Sequence, residues 1–194
     1  MKRIIILTLA VLACFTFGIN AQAQEFPELD KSPMDMAYYP SRVAFRAFAK
    51  TDEEKNAKPL IRVTYSRPKA DGRAVFTELE KPGNIWRVGA NESTEVMFFE
   101  DVTIDGKKVK AGRYTIYIKL GEENWEVHFS TDTDGWGHYA FKPEESTVAK
   151  ITVPTEETES TVEYMSIMFE EADPGAHMII AWDDTMARVP IGLK

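Results

Sequence analysis

The side chains with the most chemistry to offer lie between Arg67 and Trp136. Arg67 sits in the run Tyr65-Ser66-Arg67-Pro68, and Arg73 follows Gly72. The segment Trp86-Arg87-Val88-Gly89-Ala90-Asn91-Glu92 adds a third guanidinium next to an indole, an amide and a carboxylate. Trp136 stands between two glycines. These types suit capture of a small polar molecule or a glycan. A guanidinium fork pairs with a carboxylate through parallel hydrogen bonds, an aromatic face stacks on a ring, and an amide both donates and accepts. Arg67, Arg73, Trp86, Arg87, Asn91 and Trp136 are therefore the candidate ligand-binding residues. The same residues support a second reading. Arg67 and Arg87, tied to Glu92, Glu95 or backbone carbonyls, would lock the long stretch from Arg67 to Asn84 onto a sheet, and Gly89-Ala90 would be small because another strand passes close. Spacing alone leaves both open.

Catalytic and metal readings find less to build on. Glu92 with His138 is the one acid–imidazole pair that could serve an envelope hydrolase. Pairs drawn from Glu92, Glu95 and Glu100 are cheap in a chain with 31 acidic residues, and glycoside hydrolysis needs two carboxyls roughly 5–9.5 Å apart across a cleft. Glu95 and Glu100 read as solvated strand positions. His128, His138 and His177 never stand at i, i+2 or i, i+4, so no local metal pair exists, and they read as surface or edge residues. Asp132-x-Asp134-Gly135 lacks the other ligands of an EF-hand. Neither a P-loop nor a dinucleotide fingerprint occurs, so no cofactor is expected and no metal site is assigned.

Strands must position these groups. Ile61, Val63 and Tyr65 alternate with polar neighbours, as do Tyr114, Ile116 and Ile118, then Trp125, Val127 and Phe129. Further runs cover 94–99, 148–153, 161–169, 177–182 and 187–191. A period of two means one face on a core and one toward water, so Trp125 and Trp182 read as core. Asp105-Gly106 predicts a tight hairpin, because a type I′ turn needs positive φ at both central residues. Gly121–Asn124 marks another. The pattern predicts an all-β fold: an antiparallel β-sandwich of jelly-roll or immunoglobulin-like layers with about nine strands. Residues 24–60 read as an irregular N-terminal arm and linker, with Val43–Ala49 a short helix or edge strand, and 61–194 as the sandwich, the two forming one unit.

The motifs together resemble DUF2911, a family of exported, β-rich bacterial proteins of unknown function. The resemblance rests on Tyr65–Pro68, Gly72-Arg73, Trp86–Glu92, Gly106-Lys107, Ala111–Tyr114, Trp125 and Trp136-Gly137. Leu29–Met34 and Trp182-Asp183 extend it to roughly residues 29–191. It implies an address and a fold but no reaction. Val88 replaces a usual small hydroxyl residue, and Lys81-Pro82 replaces a usual Pro-Tyr. If those positions belong to a ligand site, the site here is altered.

The first residues predict export. Lys2 and Arg3 precede the apolar run Ile4–Phe17, and Ala21-Gln22-Ala23 is a small-x-small cleavage signal, so residues 1–23 read as a signal peptide. The run is too short to span a bilayer, and no later stretch is long enough. A lipidated Cys14 would leave a very short apolar region and place Phe15-Thr16-Phe17 after the lipid, which disfavours a lipoprotein. Cleavage after Ala23 removes the only cysteine, leaving a periplasmic or secreted chain free of disulfides. It also removes two of the 23 basic residues, deepening a formal charge of −8. That balance argues against nucleic acid and anionic membranes as partners of the whole surface. Mass spectrometry of the native protein is expected to find Gln24, or its cyclised form, at the N-terminus; a diacylated Cys14 terminus would overturn the assignment.

Overall fold

The computed structural model describes residues 25–193, so the segment 1–23, with Cys14 and the Ala21-Gln22-Ala23 signal, lies outside the described residues. Ten strands form one antiparallel sheet: β1 (Met34–Tyr39), β2 (Ile61–Ser66), β3 (Ile85–Trp86), β4 (Glu95–Phe98), β5 (Val102–Ile104), β6 (Lys107–Val109), β7 (Gly112–Leu120), β8 (Asn124–Ser130), β9 (Thr147–Ala172) and β10 (Gly175–Gly192). Their order is β1-β2-β4-β7-β8-β9-β10-β5-β6, with β3 attached to β7 beyond the end of β4. The described residues also form two helices, α1 (Asp52–Asn56) and α2 (Pro143–Ser146), and a 3-10 turn at Val43–Phe48. A helical turn of the wide π type spans Val75–Leu79.

The expected all-β class holds, with one strand more than the period suggested and with both layers belonging to one sheet. Strand β9 joins the layers. Its first residues pair with β8, and the rest pairs with β10 as far as Ala172. The sheet then turns over itself: Tyr65 of β2 accepts a hydrogen bond from the Ile167 backbone of β9 at 3.1 Å, and Tyr39 of β1 lies 6.1 Å from Phe169 between ring centroids. The expected hairpin is present, with Asp105 at φ 47° and Gly106 at φ 72° between Ile104 and Lys107.

Three corrections concern boundaries. Met34–Tyr39 is not part of an irregular arm but an edge strand in full register with β2. The 161–169 run belongs to the same strand as 148–153, and 187–191 to the same strand as 177–182. Thr155–Glu157 pair with Thr185–Ala187 of β10, residues 158–161 bulge out at a register shift, and pairing resumes at Val162 opposite Asp183. The polar stretch thus continues β9, although most of its side chains meet water. Thr51–Lys58 contains α1, whose Thr51 and Glu54 form a reciprocal capping box.

Between the layers Trp86, Trp125 and Trp182 meet. Trp86 stacks on Trp182 at 6.1 Å and meets Trp125 edge-on at 5.5 Å, and Phe76 from the helical turn lies 5.1–6.5 Å from all three. All three indoles are buried. Removing such a ring leaves a cavity that neighbouring strands cannot close. Trp86→Ala is therefore expected to cost about 3–5 kcal/mol in denaturant unfolding; a midpoint within error of the parent would show that this cluster does not hold the layers together.

Candidate functional site

The three candidate arginines have three different fates. Arg67 is an anchor. Its Nε donates to the Met165 carbonyl at 3.1 Å, Nη1 to Asp35 at 3.0 Å and Nη2 to the Ser166 hydroxyl at 2.8 Å, so it ties β1 to β9 across the end of β2. Of the partners the sequence offered, it takes a backbone carbonyl, and neither Glu92 nor Glu95. Arg73 curls onto its own loop, with Nε on the Ala70 carbonyl at 2.7 Å and Nη2 on the Lys69 carbonyl at 2.6 Å. Arg87 reaches Asn91 O and the Tyr139 hydroxyl, both at 3.3 Å, and lies 5.4 Å over the Tyr139 ring.

The segment between Arg67 and Ile85 is the crossover that builds the site. Its start runs along β9, with Met165 N–H on Pro68 O at 3.0 Å and Ala70 N–H on Glu163 O at 2.8 Å. Its helical turn is fixed by Asp183, whose carboxylate accepts from Val75 N–H at 3.0 Å. A register shift in β10 frees Asp183 for this, at φ 56°. The loop after Trp86 is tight. Val88 and Asn91 both adopt left-handed backbone, at φ 59° and 60°, a strained state for a β-branched residue. A Cβ on Gly89 would lie 2.9 Å from Ser66 Oγ, which confirms the close passage expected there. Ala90 N–H donates to the same hydroxyl at 2.7 Å.

Trp86 is fully buried and offers no shelf to a ligand, which corrects its candidacy; its two-residue strand places it under the crossover. Trp136 is exposed and is held opposite Glu92 by backbone pairing. His138 follows it and stacks on Tyr139 at 5.4 Å, with Nδ1 buried and without a partner among the described residues. Glu92 is exposed, and no hydrogen bond or ion pair joins it to His138 among the described residues. His128 is not a surface residue as expected: it is 5% exposed, bonded to Thr147 at 3.2 Å and Glu126 at 2.9 Å. Glu95 and Asp134 are committed to Arg113, at 3.3 Å and 2.5 Å. Among the described residues no group of three potential ligands is placed to hold a metal.

The candidates thus divide. Arg73, Arg87 and Asn91 share an open cleft of about 650 Å³ between the crossover and β9, with Lys31, Lys69, Glu80 and Tyr164. The stacked His138 and Tyr139 lie on the other side of Arg87 from this cleft's lining, and the exposed Trp136 precedes them in the chain without lining the cleft. Arg67 and Trp86 belong to the framework. Sequence reading missed Lys31, Lys69, Glu80, Tyr139 and Tyr164. Only Tyr139 carried a signal, as an aromatic residue two positions beyond Gly137.

A family model for DUF2911, described as a protein of unknown function, matches residues 48–191. The chain belongs to that family. The Leu29–Met34 segment lies outside the matched residues. No curated protein and no solved structure matches the chain. Membership in DUF2911 therefore carries no reaction to this site, and no helix among the described residues is long and apolar enough to cross a membrane.

Burial lowers the pKa of both His128 and His138 below the ordinary 6.5; the Arg87 charge adds to the effect at His138, while Glu126 opposes it at His128. A base with a depressed folded pKa is protonated first in the unfolded chain, so stability is unaffected above 6.5 and is lost as pH falls below it. Burial raises the Glu80 carboxyl, which acts in the opposite sense. The unfolding midpoint of the parent is expected to fall as pH drops below the ordinary 6.5, more steeply than that of a His128→Gln/His138→Gln double variant, whose comparison isolates the histidines from Glu80. Parallel curves would refute the assignment.

Proposed function

We propose that the protein is an exported cell-envelope binding module, and that the cleft takes a small polar ligand or glycan through an acidic group. One observation carries this reading. Arg73 and Arg87 line the same cleft, and neither has a carboxylate within 4.0 Å among the described residues, in a chain where acidic residues outnumber basic ones by 31 to 23. Two guanidiniums facing one cleft repel each other, and an anion between them relieves that repulsion while gaining charge-assisted hydrogen bonds. Asn91 adds an amide whose side chain makes no hydrogen bond within the described residues. Tyr164 offers a half-exposed ring on the opposite wall, and Trp136 with Tyr139 extends an aromatic surface beyond Arg87, which suits a sugar ring.

The cleft volume falls in the range of small-molecule sites, about 300–1,000 Å³. The strained Val88–Asn91 backbone supports the same reading, because such conformations cluster at binding sites. The hydrolase alternative with Glu92 and His138 draws no support from the geometry, since the two side chains do not engage each other. A purely structural role accounts for Arg67 and for the backbone carbonyls that Arg73 and Arg87 reach, but it leaves both of those guanidiniums lining an open cleft with no carboxylate beside them among the described residues. Export rests on the segment 1–23 and its cleavage signal.

A thermal-shift screen with carboxylates, phosphate esters and uronate-containing saccharides tests the reading. A ligand at a hundred times its Kd should stabilise the protein by about 2.7 kcal/mol. Arg73→Ala and Arg87→Ala are expected to lose that response while keeping the midpoint of the free protein. A ligand whose effect survives both substitutions, or a screen with no response to any anion, would overturn the assignment.

A further inference from the structure

The basic groups of the cleft do not stand alone. Glu80 lines it from the end of the Val75–Leu79 turn, where its own N–H is fixed to Val75 O at 2.8 Å. The Glu80 carboxylate is partly buried and makes neither a hydrogen bond nor an ion pair among the described residues. Arg87 lies near enough for its charge to favour the ionised carboxylate, yet beyond the 4.0 Å of an ion pair. Among the described residues the cleft therefore gathers two guanidiniums without an acidic partner and one carboxylate without a basic one around the same open space. Lys31 lines it too, with a Lys69 already paired to Asp71 and Glu163, and with Leu79 and Trp182 as apolar lining.

That arrangement selects by charge distribution. A ligand carrying only negative charge would satisfy Arg73 and Arg87 but press a further negative group against Glu80. Burial already disfavours the charged form of this carboxyl, so the repulsion would have to be relieved by protonation. A ligand carrying an ammonium as well as a carboxylate answers both sets at once. Resting on the reading of the cleft as an anion site, we infer that its ligand is a zwitterion, a free amino acid or a short peptide with an unblocked ammonium and carboxylate. The carboxylate pairs with Arg73 and Arg87, the ammonium with Glu80, and the Tyr164 ring packs on a side chain. Glu80 also borders a second cleft whose lining includes Glu156, Glu157 and Asp184, so the negative field on that side favours the ammonium in the same orientation.

Titration calorimetry at pH 7 with a set of free dipeptides and their N-acetylated counterparts tests this. Acetylation keeps the carboxylate and removes the ammonium charge. The parent protein is expected to bind the free peptides at least tenfold more tightly than the acetylated ones. In Glu80→Gln, which keeps the side-chain volume, the difference should shrink to within about twofold, through weaker binding of the free peptides alone. Arg73→Ala should weaken both series together. Equal binding of free and acetylated peptides by the parent would refute the zwitterion while leaving the anion site intact. Binding of neither series, in a protein that responds to other anions, would refute it as well. Failure of every anion would remove the site itself.

Discussion

The contact of three indoles with one phenyl ring is the constraint on which the rest of the structure depends. Trp86, Trp125, Trp182 and Phe76 come from β3, β8, β10 and the helical turn before β3, and their contacts hold the first layer of the sheet against the second. The arrangement carries a cost, because Nε1 of Trp86 and of Trp182 is buried without a partner among the described residues. An unpaired buried donor costs about 1–3 kcal/mol. Burying about 150–250 Å² of aromatic surface at about 25 cal/mol per Å² returns about 4–6 kcal/mol for each ring. Packing wins at both positions, and the geometry of the cluster follows the rings rather than their N–H groups.

That cluster fixes the neighbouring side chains. Trp86 is locked inward, so Arg87 must leave on the opposite side of the strand, toward Asn91 and Tyr139. Phe76 is drawn into the same cluster, so the turn that carries it brings Glu80 to the wall opposite Arg87. Arg67 then secures the start of the crossover to β9 and Asp35. The cleft is the space left between a crossover pinned at both ends and the strands beneath it.

Much of this architecture was legible in the residues, but unevenly. The sequence period of β2, β7 and β8 placed their apolar faces correctly, but Thr115 and Tyr117 of β7 and His128 and Ser130 of β8, on the faces read as wet, are buried too. Strand β1 showed no such period, because an edge strand at the rim places Met34, Met36 and Tyr38 where side chains are only partly covered. The middle of β9 looks like a break in sequence because Thr155–Thr161 has few apolar residues, and the strand does bulge at 158–161; the pairing of Thr155–Glu157 with β10 carries it through, and that pairing needs no apolar face. The three arginines looked alike in sequence because their roles are set by what lies opposite, and those partners are up to 99 residues away. Trp86 looked like a loop residue between Asn84 and Arg87; only the crossover above it makes it core. Glu80 gave no sign at all, since an unpaired carboxylate is defined by the absence of a neighbour in space.

Strand β9 has a consequence for the order in which this chain can form. Its opening residues complete one layer and the remainder begins the other, so neither layer owns it. The short strand β5, near the middle of the sequence, finds its β10 partner at Gly192, almost at the C-terminus. Pairings of such long sequence separation close late, because the loop entropy must be overcome before the contact contributes. A chain emerging from its N-terminus presents β1, β2 and β5 well before β10 exists. Until β10 arrives, the apolar faces of these early strands lack the layer that will cover them, and the hairpin of β9 and β10 acts as the clasp that ends that exposure.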